Sequence, residues 1–296
     1  MSSFNETITP AVPDSAYGYI PTRSIAFLFL TLFGISTAAH AAQAVYYRMW
    51  WLLATAFLCG VGEIVGWSGR LWSSYSPRAG DPYLMQVTST IIAPTPLIAV
   101  NFILLGRIVS RLGPCYSRLS PKLYTRIFLT CDIIALIVQG GGGGIAASSH
   151  KRETVDLGGN IMLGGIIFQF IALIFYSALA ADFLRNYANR NPVRTSSERG
   201  VKVMDTRLKL LVQALCFSTL VLFVRSIYRM VELADGWTGK IITTEVYFNI
   251  FDAGMVTLAI YTINVAHPGM LLGSNDVRKE NMLMKQIPSS SQDSLV

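Results

Sequence analysis

The chain has 296 residues, of which 52% are hydrophobic and only 14% are Asp, Glu, Lys or Arg, and its mean hydropathy is +0.46. An average soluble domain carries roughly 25% charged residues, so this chain has too few to cover a water-facing surface. The net charge of +7 does not point to nucleic acid either, because the basic residues fall in the gaps between long apolar runs, where they report topology.

The first 22 residues are polar, contain Pro10, Pro13 and Pro21, and lack a basic start followed by an apolar core. They read as a tail rather than a cleavable signal. Asn5-Glu6-Thr7 is a sequon, which predicts glycosylation at Asn5 if the tail is exoplasmic. Seven apolar runs follow, each near the roughly 20 residues that a hydrocarbon core of about 30 Å requires. They are Ser24 to Val45, Trp50 to Trp67, Tyr83 to Leu105, Ile127 to Ala147, Ile161 to Phe183, Leu208 to Tyr228 and Val246 to Val265. The expected fold is all-α, a polytopic bundle of seven transmembrane helices over 23–273, preceded by the tail 1–22 and followed by a Ser-rich disordered tail, 274–296.

Orientation follows from the Lys and Arg in alternate loops. One set holds 16: Arg48, five between Arg107 and Arg126, seven between Arg185 and Lys209, then Arg278, Lys279 and Lys285. The other holds 6: Arg23, Arg70, Arg78, Lys151, Arg152 and Lys240. The first set is expected in the cytoplasm, giving an exoplasmic N-terminus and a cytoplasmic C-terminus. Cys59, Cys131 and Cys216 lie inside apolar runs and Cys115 in an expected cytoplasmic loop, so no structural disulfide is expected.

Charges at bilayer depth cost several kcal/mol unless paired or hydrated, which makes them the first functional candidates. Span two carries Glu63, Gly66 and Arg70 on one helical face, and span six carries Arg225, Arg229 and Glu232 on another. Span seven has Glu245 and Asp252, seven residues apart and so on one face of an α-helix. By helical rise all of these fall in the exoplasmic half. With four acids and three bases, nearly complete pairing is possible, and the set either locks helices two, six and seven together or receives a polar ligand group. Asp132 and Gln139 share a face of span four nearer the cytoplasm, at the depth of Asn101 in span three. Asp132 has no obvious basic partner, leaving it to hold a proton, to bond Asn101 or to face a water-filled cavity, as a candidate proton or amine site.

Five glycines, Gly140 to Gly144, close span four, where the helix is either packed very closely or broken. Pro94 and Pro96 predict a kink in span three. His267-Pro268-Gly269 reads as a helix terminator. A phosphate-binding loop, a metal-ligand spacing among His40, His150 and His267, a dinucleotide fingerprint and a nucleophile elbow are all missing. The expectation is therefore a protein that is not an enzyme, needs no cofactor or metal and binds no nucleic acid.

At these residues the sequence resembles the fungal RTA-like family of lipid-translocating exporters. The family pattern E-x-x-G-[YW]-x-x-R is similar to Glu63 to Arg70, and its aspartate and Q-x-x-G-G stretch to Asp132 and Gln139 to Gly143. Its block R-S-x-[FY]-R-x-x-E, followed by G-x-x-G, E, F-D-A and H-P-G, resembles Arg225 to Glu232, Gly236 to Gly239, Glu245, Phe251 to Ala253 and His267 to Gly269. Trp67 stands where Tyr is usual and Gly254 where a bulkier residue is common. The resemblance implies seven spans and the movement or release of sphingoid long-chain bases or related amphiphiles, with resistance to amphiphilic toxicants. It also links some members to porphyrin or haem handling. The expected function is a transporter or flippase-like exporter of amphiphilic lipids without its own ATP hydrolysis, in the plasma membrane or an internal membrane. The alternative is a seven-helix receptor or sensor of lipid asymmetry or toxic amphiphiles. The partners expected are membrane lipids or amphiphilic small molecules.

Overall fold

A computed structural model describes residues 15, 17–148, 151–194, 204–236 and 239–272. Asn5 and the expected tail 274–296 lie outside the described residues. Seven helices are long and apolar enough to cross a membrane: Arg23–Tyr46, Trp50–Tyr75, Gly80–Leu112, Pro121–Ala147, Arg152–Ala188, Thr206–Ala234 and Glu245–Leu272. Their outward faces are covered with apolar side chains such as Ile35, Ile137, Phe175 and Leu220, a surface that only lipid can cover without large cost. Tyr46 and Trp50 stand exposed at one end of the first two spans, and Trp72 and Tyr75 at the other, as amphipathic rings do at the two membrane interfaces. The chain is an integral, multi-pass membrane protein.

Span one is α1 (Arg23–Tyr46). Span two enters through a 3-10 turn (Trp50–Leu52) and a π turn (Leu53–Phe57) before α2 (Leu58–Tyr75). Span three is divided into α3 (Gly80–Ile92) and α4 (Thr95–Leu112). Spans four, five and six are α5 (Pro121–Ala147), α6 (Arg152–Ala188) and α7 (Thr206–Ala234). Span seven consists of α8 (Glu245–Tyr247), a π segment (Phe248–Gly254), α9 (Met255–Val265) and α10 (Pro268–Leu272). Local chemistry sets the ends: Pro121 opens α5, the Asp205 carboxylate accepts the Leu208 N–H at 2.9 Å to cap α7, and Gly113 at φ 130° stops α4.

Three sequence expectations are resolved by packing. The kink in span three lies at Ala93-Pro94, between α3 and α4. The five glycines do not break α5; the helix runs through them and packs closely on α6. A Cβ on Gly142 would lie 2.7 Å from the Gly158 carbonyl oxygen, and one on Gly158 2.6 Å from the Ala146 nitrogen, so both backbones depend on bare glycine here. Gly140, Gly141 and Gly144 meet nothing within 4 Å. His267 does end α9: its Nδ1 accepts the Gly269 N–H at 3.1 Å, its ring stacks on Tyr47, and a Cβ on Gly269 would collide with that tyrosine.

Span three is the most buried of the seven. Around α4, the rings of Phe102, Phe128 and Tyr176 pack with centroids 4.7–5.6 Å apart, joining α4, α5 and α6. Spans one and seven are joined by polar contacts: His40 Nε2 reaches the Ile260 carbonyl at 3.2 Å, and the Gln43 amide donates to the Asn264 carbonyl at 3.0 Å. The four cysteines are free.

Candidate functional site

The ionisable residues singled out in spans two, six and seven converge at the end of the bundle that carries the N-terminal segment. Arg229 is the hub. Its Nε and Nη2 donate to the two oxygens of Asp252 at 2.7 and 2.6 Å, its Nη1 donates to Glu232 at 2.7 Å, and Nη2 also reaches the Thr90 hydroxyl at 2.8 Å. A planar guanidinium meeting a carboxylate through two bonds is among the strongest pairings a protein makes. Tyr228 adds a bond from its hydroxyl to Glu232 at 2.8 Å. Arg225 lies 2.9 Å from the same Asp252 through Nε, an ion pair without the alignment of a hydrogen bond, and its Nη2 donates to the Thr90 carbonyl.

Thr90 is a partner that the sequence reading missed, although a signal was present. In a helix the residue four places on supplies the N–H for each carbonyl, and the residue four places after Thr90 is Pro94, which has none. The proline that kinks span three thereby releases the carbonyl that Arg225 takes. Gly66 allows the approach, since a Cβ there would stand 2.6 Å from the Thr90 methyl.

Glu245 and Asp252, seven residues apart, both turn toward the bundle, with Phe248 and Val256 buried along the same side of span seven. Asp252 meets Arg229, while Glu245, at the start of the span, accepts the Thr22 N–H at 2.9 Å, the Thr22 hydroxyl at 2.7 Å and Arg70 at 3.2 Å. Arg70 also donates to the Tyr19 hydroxyl at 2.7 Å. Phe248, at the start of the π segment, sits between the two guanidinium groups, its ring centroid 4.6 Å from Arg70 and 5.2 Å from Arg229. The last residues of the expected tail thus pack on the bundle rather than trail from it.

Glu63 is the exception in this network. It is fully buried, and neither carboxylate oxygen completes a hydrogen bond. The indole of Trp67, one turn further along α2, points its N–H toward the same carboxyl without completing one. Every other acid of the cluster has an ion pair: Glu245 with Arg70, Glu232 with Arg229, and Asp252 with both Arg225 and Arg229. Among the described residues Glu63 has none. A buried carboxyl without a partner is a costly arrangement.

A cavity of about 270 Å³ opens above the network, lined by Tyr17, Tyr19, Arg70, Gln86, Asp156, Asn160, Arg229, Glu232 and Phe248 among others. Burial pushes the Tyr17 phenol up to about 12 against the opposing pull of Arg70, so it is a neutral hydrogen-bonding group at physiological pH. Burial raises Tyr19 as well. Glu63 does not line the cavity; Arg229 and Phe248 stand in its wall. On the outer side of α7, a groove of about 470 Å³ is lined mainly by apolar side chains, among them Ile227, Tyr228, Val231 and Phe251, together with Lys240.

Asp132 and Gln139 form a separate polar layer. The Gln169 amide donates to Asp132 Oδ1 at 3.4 Å and to the Thr95 hydroxyl at 3.1 Å, and Gln139 donates to Gln169 at 3.0 Å. Asn101 does not meet Asp132: its side chain bonds Ser218 and Thr219, toward α7. Gln169, which span five supplies, carried no signal in the sequence beyond a lone amide in an apolar run. Among the described residues no group of three or more His, Cys, Asp or Glu side chains is arranged to hold a metal ion.

The protein family described as RTA1 like protein matches residues 56–275, a stretch holding every charged residue of the network. The chain belongs to the RTA1-like family. Among its relatives is the sphingoid long-chain base transporter RSB1 of Saccharomyces cerevisiae, 28% identical over 288 residues, which cover 86% of this chain and 74% of the relative. Protoporphyrin uptake protein 1 of Saccharomyces cerevisiae is 25% identical over 286 residues, 84% of this chain and 90% of its own. Protein RTM1 of Saccharomyces cerevisiae is 29% identical over 199 residues, 67% of this chain and 61% of its own. No solved structure matches the RTA1-like fold of this chain.

Proposed function

We propose that this RTA1-like protein is a membrane exporter of cationic amphiphiles of the sphingoid long-chain base class, without nucleotide hydrolysis of its own, and that Glu63 receives the ammonium group. The observation that carries this reading is the charge balance of the buried network. Glu63, Glu232 and Asp252 face Arg225 and Arg229, three acids against two bases, and the acid left over is the one without a partner. One primary ammonium completes the set. The cavity above accommodates a small polar head bearing an amine and hydroxyls, with Glu232, Asp156 and the Tyr17 phenol as hydrogen-bonding partners at its lining. The mainly apolar groove beyond α7 suits the hydrocarbon tail. The name of the yeast relative RSB1, a sphingoid long-chain base transporter, supports the same substrate class.

In this reading the N-terminal end of the bundle is exoplasmic, the excess of Lys and Arg lies in the cytoplasm, and the plasma membrane is where export confers resistance. Arg229 and Phe248 separate cavity from carboxyl, so their movement gates access to Glu63. Asp252 has a different role: it holds two arginines, and its loss disrupts the bundle before it reports on transport. The discriminating variant is therefore Glu63→Gln, which removes a charge no cation balances and keeps the shape. In cells sensitive to long-chain bases, the wild-type chain should confer resistance and the variant should not, at equal surface abundance. Equal resistance would take Glu63 out of the mechanism.

A further inference from the structure

We infer that the protein exchanges protons for its cationic substrate, with the carboxyl of Glu63 holding either a proton or an ammonium group but never both. This rests on the reading of Glu63 as the ammonium acceptor and adds the source of driving force.

The groups that face Glu63 electrostatically are Asp252 from span seven, Arg225 and Arg229 from α7, and the thiol of Cys59 one turn back on α2. Where α1 and α3 press on α2, they present Thr37 and Thr90, which carry no charge. Both arginines are already engaged: Arg229 with Asp252, Glu232 and Thr90, Arg225 with Asp252 and the Thr90 carbonyl. An ionised Glu63 would leave one uncompensated negative charge at a fully buried position. A proton on the carboxyl removes that charge, and so does an ammonium group beside the carboxylate. The two occupied states are electrically equivalent, and the empty ionised state is the costly one.

A carboxyl that tolerates two occupied states and resists the empty one can release one occupant only as the other arrives. The exchange balances without any covalent or redox step: the ammonium pairs with the carboxylate, and the proton that the carboxyl held leaves. Repeated on both sides of the membrane, this moves one proton inward for each cation moved outward.

The test uses the purified full chain in phosphatidylcholine liposomes and a fluorescent long-chain base methylated to a quaternary ammonium, which cannot itself carry a proton. Potassium and valinomycin hold the membrane potential at zero. One-for-one exchange equalises the two concentration ratios, so a gradient of about one pH unit should concentrate the probe about tenfold in the acidic compartment. Glu63→Gln should abolish this accumulation and Glu63→Asp should retain it. Entry that stops at equal concentrations would overturn proton exchange while leaving transport intact. Entry no faster than in protein-free liposomes would overturn both. Accumulation by Glu63→Gln at the wild-type level would remove Glu63 as the site of exchange.

Discussion

Arg229 and Glu63 belong to one layer of the bundle and should respond differently to mutation. Arg229 is buried with its guanidinium fully engaged. Removing one member of a buried ion pair leaves the others unpaired at a cost of about 3–5 kcal/mol. Arg229→Ala should therefore lower the melting temperature of the purified protein in detergent strongly. Arg229→Lys, which keeps the charge but loses the two-bond geometry, should fall between it and the wild type. A melting curve for Arg229→Ala that overlies the wild type would show that the network does not hold the bundle together. Glu63→Gln leaves every observed ion pair in place and should melt like the wild type, so a loss of transport in that variant is separable from a loss of fold. In the sequence these residues were legible as charges on inward faces. The allocation of partners was not, because it depends on which helix supplies Thr90 and on which arginines reach Asp252.

At the level of elements, two departures from regular α-helix place the site. Pro94 divides span three and frees the Thr90 carbonyl for Arg225, while the π segment Phe248–Gly254 carries both Phe248, beside Arg70 and Arg229, and Asp252, which Arg229 binds. Proline announces itself in a sequence; a π segment does not, because it arises from packing that overrides the preferred i→i−4 bonding. The glycine run shows the same division. Composition identified a close approach or a break, and only the position of α6 determines that Gly142 is the close contact, with Gly143 in ordinary contact and Gly140, Gly141 and Gly144 open. Gly142→Val should abolish recovery of folded protein, because a side chain there meets the backbone of α6. Gly141→Val, in open space, should be recovered at the wild-type level. Similar yields for the two would show that α5 and α6 are not held at the spacing described.

Across the whole molecule, scarce charge is sorted into two uses. Most basic residues lie in the connections or toward the ends of the spans, and, Asp132 apart, the charges buried inside the bundle gather at one end, beneath a cavity of mixed polarity. The seven spans were legible because twenty consecutive apolar residues have few alternatives. Their full lengths were not: α6 runs over Arg152–Ala188, well past the apolar run, because its polar ends continue the helix beyond the apolar residues. The architecture places an unpartnered carboxyl one layer below a cavity that a polar head can enter, with a mainly apolar groove alongside. That is the arrangement needed to move an amphiphile whose head must cross while its tail stays in hydrocarbon. The most direct measurement is transbilayer movement of a fluorescent sphingoid base in liposomes containing the purified chain. Movement should exceed that in protein-free liposomes at least about tenfold, a barrier lowered by roughly 1.4 kcal/mol or more, and Glu63→Gln should return it to the protein-free rate. A wild-type rate equal to that of protein-free liposomes, or a Glu63→Gln rate equal to the wild type, would contradict the account.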